Sequence, residues 1–225
     1  MTLPSPDQTW VFFVANADEA RLRQITDSSP NAKINRYRID QVIPVVGTPP
    51  IGLAPDLPLV RIESSTPLLL AQPSLASLHD RETVFHGVTQ TLHYTASIQR
   101  QELDQRSRPE LEASKDTTVV LIPIGKSLAW WQLAQDERQA HFQTKGAQPG
   151  HTAIGLAYVD RVYRKLYHSR YTFPLVPYDF LTYFEFHQVY KNDFQMLLHE
   201  LRDTTRNPEW RYTELEYEIW MTRVG

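Results

Sequence analysis

The chain has 225 residues, of which 41% are hydrophobic and 22% charged, with a net charge of −3 and a pI near 6.2. A chain of this size can bury a core, and its acidic balance argues against a nucleic-acid binder, which usually carries a basic excess. It has no cysteine, which excludes disulfides, thiolate metal sites and a cysteine nucleophile. It also lacks a signal-peptide pattern and any apolar run of roughly 18 residues, so we expect a cytoplasmic protein without a membrane partner.

The first half of the chain has the pattern of strands joined by irregular loops. Apolar, β-branched and aromatic runs predict strands at 10–15, 35–46, 57–63 and 83–95. A polar helix or loop is expected at 16–33, a short polar helix at 98–106 and a charged linker at 109–116. Seven of the sixteen prolines lie between Pro44 and Pro73, which favours extended loops there.

The second half alternates strands and helices more regularly. The predicted strands are 117–124, 161–170, 179–187 and 212–223, and the predicted helices are 130–144, 151–160 and 191–203. If the first two helices count as one crossover, the order is β-α-β-β-α-β, which is the ferredoxin-like pattern. We therefore predict an α+β fold, with a ferredoxin-like half at 117–225 and a truncated version of the same unit at 1–108.

His151 and Arg164 are the main candidates for chemistry. A lone histidine is often a surface or capping residue, but His151 could also bind haem iron if an acceptor holds its other ring nitrogen. Arg164 stands between the apolar Val162 and Leu166, so we expect it on a buried face. There it would either form a structural salt bridge or hold an anion by paired N–H donors. In the functional interpretation the two residues face each other across a flat cofactor.

Three further candidates lie at the strand-to-helix turn near the start of the second half: Lys126, Trp130 and Trp131. Adjacent tryptophans usually fill a core, and core packing is the simpler interpretation. They could also wall a planar cofactor and direct indole N–H groups at its carboxylates. Ser169 lacks the context of a nucleophile elbow, which makes a serine hydrolase a poor alternative.

In combination these segments resemble the chlorite dismutase family of haem proteins. The matching segments are 121–131, 136–138, 151–152, 156–158, 164–169 and 179–185. Residues 87–89 with 94–95 resemble the shorter, dimeric subfamily, and the resemblance extends over about 83–223 and loosely over 10–47. It implies two ferredoxin-like halves that form an α+β barrel, a truncated first half, haem b in the second half and a homodimer.

The resemblance also implies roles for individual residues. It makes His151 the axial ligand of the haem iron and Arg164 the distal arginine. It places Lys126 in a proximal network of histidine, glutamate and lysine, and it places the Trp130–Trp131 pair beside the haem.

The glutamate of that network has no direct counterpart in the sequence. Thr205 or Arg206 stands at its position, a few residues before the last strand. Glu209 could replace it, provided that the chain bends at Pro208. The sequence leaves this choice open.

The activity implied by the resemblance is conversion of chlorite, a small anion, to chloride and dioxygen. Arg164 would orient the anion and offset its charge. Family members that decarboxylate coproporphyrin haem carry other residues on the distal side, so Arg164 favours the chlorite-degrading branch. The alternatives are a haem peroxidase, a coproporphyrin-haem decarboxylase-like enzyme, and a non-catalytic haem-binding member of the family.

Overall fold

The structure is a computed structural model that describes residues 8–17, 19–27, 29, 31–66, 83–89, 106, 109–111, 116–172 and 175–224. Its strands are β1 (Trp10–Ala15), β2 (Lys33–Val46), β3 (Pro58–Ser64), β4 (Thr83–Val88), β5 (Thr117–Lys126), β6 (Tyr163–His168), β7 (Phe180–His187) and β8 (Thr213–Val224). Its α-helices are α1 (Glu19–Asp27), α2 (Leu128–Gln132), α3 (Gln135–Phe142), α4 (Gly150–Leu156) and α5 (Lys191–Arg202). Two 3-10 helices cover Gln188–Tyr190 and Pro208–Tyr212. No helix in these ranges is long and apolar enough to cross a membrane.

The strands close into one antiparallel barrel in the order β1-β3-β2-β8-β5-β7-β6-β4. This confirms the predicted α+β class and the barrel. The first four strands lie side by side as β4-β1-β3-β2, and the last four repeat that arrangement as β8-β5-β7-β6. The first half therefore has the same strand order as the second. In the described residues α1 packs on the first half, and α4 and α5 pack on the second.

The alternation of side chains along each strand separates the barrel interior from its outer face. On β8, Tyr217 and Ile219 join the apolar cluster inside the barrel, whereas Trp220 joins a second cluster on the outer face. That outer cluster packs against α4 and α5, for example through Ile154 and Leu198. Burying one such side chain stabilises the fold by about 1.5–3 kcal/mol, so the helices are held on the sheet chiefly by apolar contact.

Helix α5 follows directly from its sequence. Phe194, Leu197, Leu198 and Leu201 recur at helical spacing and are all buried. Arg202 in the last turn complements the negative end of the helix dipole. The observed helix ends one residue before the predicted boundary, and it fixes Arg202 at its final position.

The single helix predicted at 130–144 is wrong, because the chain forms α2 and α3 instead. The Ser127 hydroxyl accepts a hydrogen bond from the Trp130 amide and starts α2. Leu133 and Ala134 are extended, and the Glu137 carboxylate accepts from the Ala134 amide at 2.7 Å, which starts a new helix. The helix predicted at 151–160 ends earlier, at Leu156, and continues as turns.

Some predictions extend beyond the described residues. The predicted strand 83–95 corresponds to β4 up to Val88, and 90–95 lie outside the described ranges. Of the predicted helix 98–106, only Arg106 is described, and it is helical. The predicted linker at 109–116 is described at 109–111 and 116 alone.

The barrel closes at a narrow seam between β4 and β6. In the described residues its backbone ladder consists of one pair, Val88 with His168. Side chains extend this closure, because the Ser169 hydroxyl donates to the His86 carbonyl at 2.7 Å. The His86 amide donates in turn to the Tyr178 hydroxyl at 3.1 Å. In the described residues the seam is therefore held mainly by hydrogen bonds of side-chain hydroxyl groups, whereas the other strand pairs are held by backbone hydrogen bonds.

Candidate functional site

A cavity lies between the outer face of the second half of the barrel and the elements that cover it, namely α4, α5 and the 3-10 helix at Pro208–Tyr212. It encloses about 350 Å³, including the space that opens to solvent. Its walls are formed by Ile122, Ile124, His151, Arg164, Thr182, Phe184, Leu198, Leu201, Arg202, Trp210 and Glu216. The two main sequence candidates, His151 and Arg164, therefore share one largely apolar cavity.

His151 belongs to a hydrogen-bonded triad with Glu209 and Lys126. Its Nδ1 lies 2.9 Å from Glu209 Oε2, and Lys126 Nζ lies 2.7 Å from Glu209 Oε1. The side chains of Lys126 and Glu209 are only 2% and 6% exposed. His151 lines the cavity, and its Nε2 makes no hydrogen bond to the described part of the chain. The ring is thus oriented through one nitrogen and available to a ligand through the other.

The carboxyl group of Glu209 is held in its ionised form. Burial alone would raise its pKa, but Lys126 and His151 together lower the pKa well below its usual range. The carboxylate accepts the hydrogen on Nδ1 of His151, and in that tautomer the lone pair of the ring lies on Nε2.

The bend that brings Glu209 to His151 occurs at Pro208. Proline is the first residue of the 3-10 helix, where its missing N–H costs no hydrogen bond. The buried Asn207 fixes the approach, because its side-chain amide donates to the Leu201 carbonyl at 2.8 Å. Thr205 and Arg206, the other positions considered from the sequence, are both exposed.

His151 reaches the cavity because α4 begins one residue earlier, at a sharp turn. Gly150 has φ +71°, and a Cβ added there would lie 2.5 Å from the Gln143 carbonyl oxygen. Its amide donates to the Arg206 carbonyl at 3.2 Å, which ties the start of α4 to the segment that leads to Glu209. Glycine is required at this position for both reasons.

Arg164 is exposed, so the prediction that its strand position buries it is wrong. In β6 the interior side of the barrel is taken by Tyr163 and Tyr167, and Arg164 is on the outer side, where it lines the cavity. The walls still exclude much of the water around the guanidinium, which lowers the pKa of Arg164, while the Glu209 carboxylate acts to raise it. Arg164 is thus a cation open to the cavity.

The tryptophan pair stands apart from the cavity. Trp130 is buried against Phe142 and Tyr212, with ring centroids 6.0 and 5.5 Å away. Trp131 stacks on Phe180 at 6.0 Å. Trp130 meets the triad at Lys126, whose Nζ lies 5.5 Å from the Trp130 ring centroid. Trp130 is buried, whereas Trp131 is half-buried and its buried Nε1 has no hydrogen-bond partner in the described residues.

Five polar or aromatic residues of the cavity wall were not foreseen, namely Thr182, Phe184, Arg202, Trp210 and Glu216. The signal for Glu216 is present in the last strand, where glutamates at 214, 216 and 218 alternate with Leu215, Tyr217 and Ile219. The alternation places these glutamates on one face of the strand, and the structure shows that Glu216 and Glu218 are buried there whereas Glu214 is exposed. Lys126 Nζ lies 4.9 Å from the Trp210 ring centroid, which links this wall to the triad.

Fold and site together define the class of protein: an antiparallel α+β barrel with a histidine–arginine cavity on the outer face of one half. Comparison with protein-family models matches residues 65–217, more than half of the chain, to the family described as Chlorite dismutase. The chain belongs to the chlorite dismutase family. This confirms the resemblance found in the sequence.

Individual relatives agree with this assignment. A chlorite dismutase of Ideonella dechloratans is 28% identical over 127 residues, which is 56% of this chain but only 40% of that protein. The crystal structure of a dimeric chlorite dismutase from Nitrobacter winogradskyi has 28% identity and a TM-score of 0.68, covering 95% of this chain and 99% of that one. A chlorite dismutase from Candidatus Nitrospira defluvii in complex with imidazole, at 22% identity, has a TM-score of 0.66 over 97% of this chain and 91% of that one, and shares the fold.

Proposed function

We propose that the protein binds haem b in this cavity and converts chlorite to chloride and dioxygen. The observation that carries the proposal is that His151 and Arg164 line the same cavity, with the histidine oriented by a buried Glu209–Lys126 pair. Membership of the chlorite dismutase family supports the same activity.

The residues of the cavity suit haem b. Aliphatic and aromatic walls match the faces of a porphyrin, and they come from both the sheet and the helices: Ile122, Ile124, Phe184, Leu198, Leu201 and Trp210. A neutral imidazole with its second nitrogen held by a carboxylate is a typical axial ligand of haem iron. Haem b, when bound, would supply the iron at which the Cl–O bonds of chlorite are broken.

The triad of this chain sets the electron-donating strength of the histidine. Glu209 accepts the Nδ1–H of His151 and makes the imidazole a stronger donor through Nε2. Lys126 keeps Glu209 ionised in a buried position, so the carboxylate does not take the proton for itself.

Arg164 is the residue that meets the substrate in this proposal. Its guanidinium offers paired N–H donors, which fit the two oxygens of chlorite. It stays charged and open to the cavity, and the apolar walls strengthen its attraction for an anion. Arg164 therefore binds chlorite, orients it and retains anionic products of partial reaction until dioxygen leaves.

The proposal extends to the architecture. We take residues 1–108 and 117–225 as two ferredoxin-like halves, supported by the identical strand order of the two sets of four strands. We also propose a homodimer, because the Nitrobacter winogradskyi protein of similar length is described as dimeric.

Oxygen release after chlorite is added to haem-loaded protein tests the function. We expect rapid, stoichiometric oxygen from the unmodified protein, slower release with more haem bleaching from Arg164→Ala, and no stable haem spectrum from His151→Ala. The matched controls His199→Ala and Arg36→Ala change exposed residues on α5 and β2, away from the cavity, and should behave as the unmodified protein.

Two outcomes would contradict the proposal. A normal haem spectrum without oxygen would exclude chlorite conversion and favour a peroxidase or decarboxylase-like activity. An unchanged spectrum in His151→Ala would exclude His151 as the axial ligand.

A further inference from the structure

A second charged cluster forms the wall of the cavity where α5 meets β8. Arg202 donates from Nε to Glu216 Oε1 at 3.0 Å and from Nη2 to Glu218 Oε1 at 2.6 Å. The other oxygen of Glu218 accepts from Trp220 Nε1 at 2.6 Å. One guanidinium is therefore shared by two buried carboxylates.

Unlike Glu218, Glu216 has a carboxylate oxygen that lacks a hydrogen-bond partner among the described residues. Its side chain is 1% exposed, and its Oε2 has no hydrogen-bond partner in the described part of the chain. Glu216 and Arg202 both line the cavity, whereas Glu218 does not. A buried carboxylate oxygen without a donor is costly, so it calls for a proton or a ligand.

Among the described residues on and next to the cavity wall, three cations balance three carboxylates before anything enters the cavity. The cations are Lys126, Arg164 and Arg202, and the carboxylates are Glu209, Glu216 and Glu218. Any further negative charge would be uncompensated in a region with little water, which favours uptake of a proton by the carboxylate that is least satisfied.

The groups that face Glu216 shift its pKa in opposite directions. Burial raises the pKa of Glu216, and Glu218 on the same strand raises it further. Arg202 on α5 and Lys126 on β5 oppose this shift without cancelling it. Glu216 thus accepts a proton more readily than an ordinary glutamate, in contrast to Glu209, whose pKa is lowered.

We infer that Glu216 is a proton-accepting residue of the cavity, and that it takes up a proton from solvent at Oε2 when negative charge enters. That charge is a small anion or, if haem is bound as proposed above, the electron that reduces the iron. The proton forms an O–H bond on Glu216, and the rest of the cluster becomes a neutral Arg202–Glu218 pair.

The first test uses the protein without haem and does not depend on the proposed function. Denaturant unfolding is followed across pH for the unmodified protein, Glu216→Gln and the control Glu214→Gln, which removes an exposed carboxylate from the same strand. Because the folded state holds the Glu216 proton more tightly than the unfolded chain, the unfolding equilibrium constant should rise by up to about tenfold per pH unit between the ordinary carboxyl pKa of the unfolded chain and the raised pKa of folded Glu216. Glu214→Gln should keep this rise, and Glu216→Gln should lose it.

The second test uses haem-loaded protein and measures the midpoint potential of the iron across the same pH range. The potential should fall with pH in the unmodified protein and in Glu214→Gln, and the slope should flatten in Glu216→Gln. Equal pH dependence in all three proteins, in both tests, would overturn the inference. Failure to bind haem would count against the proposed function alone, because the first test would still decide the role of Glu216.

Glu218→Gln keeps the inference testable if Glu216→Gln does not fold. It leaves Arg202 with Glu216 as its single carboxylate, so ionisation of Glu216 should move to lower pH. The rise in the unfolding constant starts where the unfolded chain ionises, so it should start at the same pH and end at a lower one. An unchanged upper end of that rise would show that Glu216 does not titrate in this range.

Discussion

The barrel interior and the cavity both contain buried charges, but the two sets differ in one respect. Inside the barrel, Arg61 is fully buried and pairs with Glu63 and Glu110. Every carboxylate oxygen of this interior network has a donor: Glu63 from Arg61, Lys165 and Tyr167; Glu110 from Arg61 and Lys33; Glu185 from Tyr183, Arg223 and the Leu111 amide.

In the cavity, by contrast, several hydrogen-bonding atoms have no partner in the described part of the chain. Nε2 of His151, the guanidinium of Arg164 and Oε2 of Glu216 all lack such partners in the described residues. The same residue types therefore serve two purposes. The interior network joins the halves of the barrel with a donor for every carboxylate oxygen, and only the Nε atoms of its Arg61 and Arg223 lack a partner in the described residues. The open histidine and carboxylate positions beneath the helices of the outer face mark the proposed ligand site.

Removing Arg61 should give the largest loss of stability. In Arg61→Met the carboxylates of Glu63 and Glu110 lose their shared cation, and breaking such a buried pair costs about 3–5 kcal/mol. Denaturant unfolding measures the loss, with Arg38→Met, an exposed arginine on β2, as control. A loss as small as that of Arg38→Met would mean that the interior network is not structural.

Removing the charge of Glu209 should cost less and should depend on pH. Glu209→Gln leaves Lys126 buried without a counter-ion, although the amide oxygen still faces His151, and we expect about 3 kcal/mol at neutral pH. Because the folded pKa of Glu209 is lowered, this contribution is present above the ordinary carboxyl pKa and is lost as pH falls below it.

Unfolding curves at several pH values therefore measure the role of Glu209. The difference from the unmodified protein should shrink on acidification, and Asp160→Asn, at an exposed carboxylate, should show no such difference. A loss that is the same at every pH would contradict the ionised state assigned to Glu209.

Removing Arg164 should hardly affect stability and should affect binding. Arg164→Met changes an exposed residue, so we expect less than about 0.5 kcal/mol in unfolding. A charge-assisted hydrogen bond contributes about 1.5–3 kcal/mol, so fluoride binding to haem-loaded protein, followed by its spectrum, should weaken roughly 10- to 100-fold. Unchanged fluoride affinity, as expected for Arg36→Met, would remove Arg164 from the anion site.

The strands were accessible from sequence because their patterns are strong. The run at 117–124 and the alternation at 212–223 match β5 and β8 closely. The break between α2 and α3 could not be predicted from the sequence, because Leu133 and Ala134 fit a helix by propensity. The chain starts a second helix because the Glu137 side chain caps it at Ala134.

The site was accessible only in part. His151 and Arg164 stand out by residue type, and the structure brings them to one cavity, while their roles toward haem and chlorite stay predictions. The partner of His151 could not be read from spacing, since the position of Glu209 depends on the turn at Pro208. Alternation alone also could not say whether Arg164 faces the barrel interior or the outer helices, because both sides of β6 are covered.

The barrel resists thermal opening least at the narrow seam between β4 and β6. Within the described residues, every other strand pair must break several backbone hydrogen bonds to separate, whereas this pair is held by one backbone pair and by hydrogen bonds of His86 to Ser169, Thr172 and Tyr178. Amide hydrogens along β4 should therefore exchange with solvent long before those of β5 and β8. Because β6 carries Arg164, the fluctuation that parts the two halves also loosens the strand that presents the cavity's open cation.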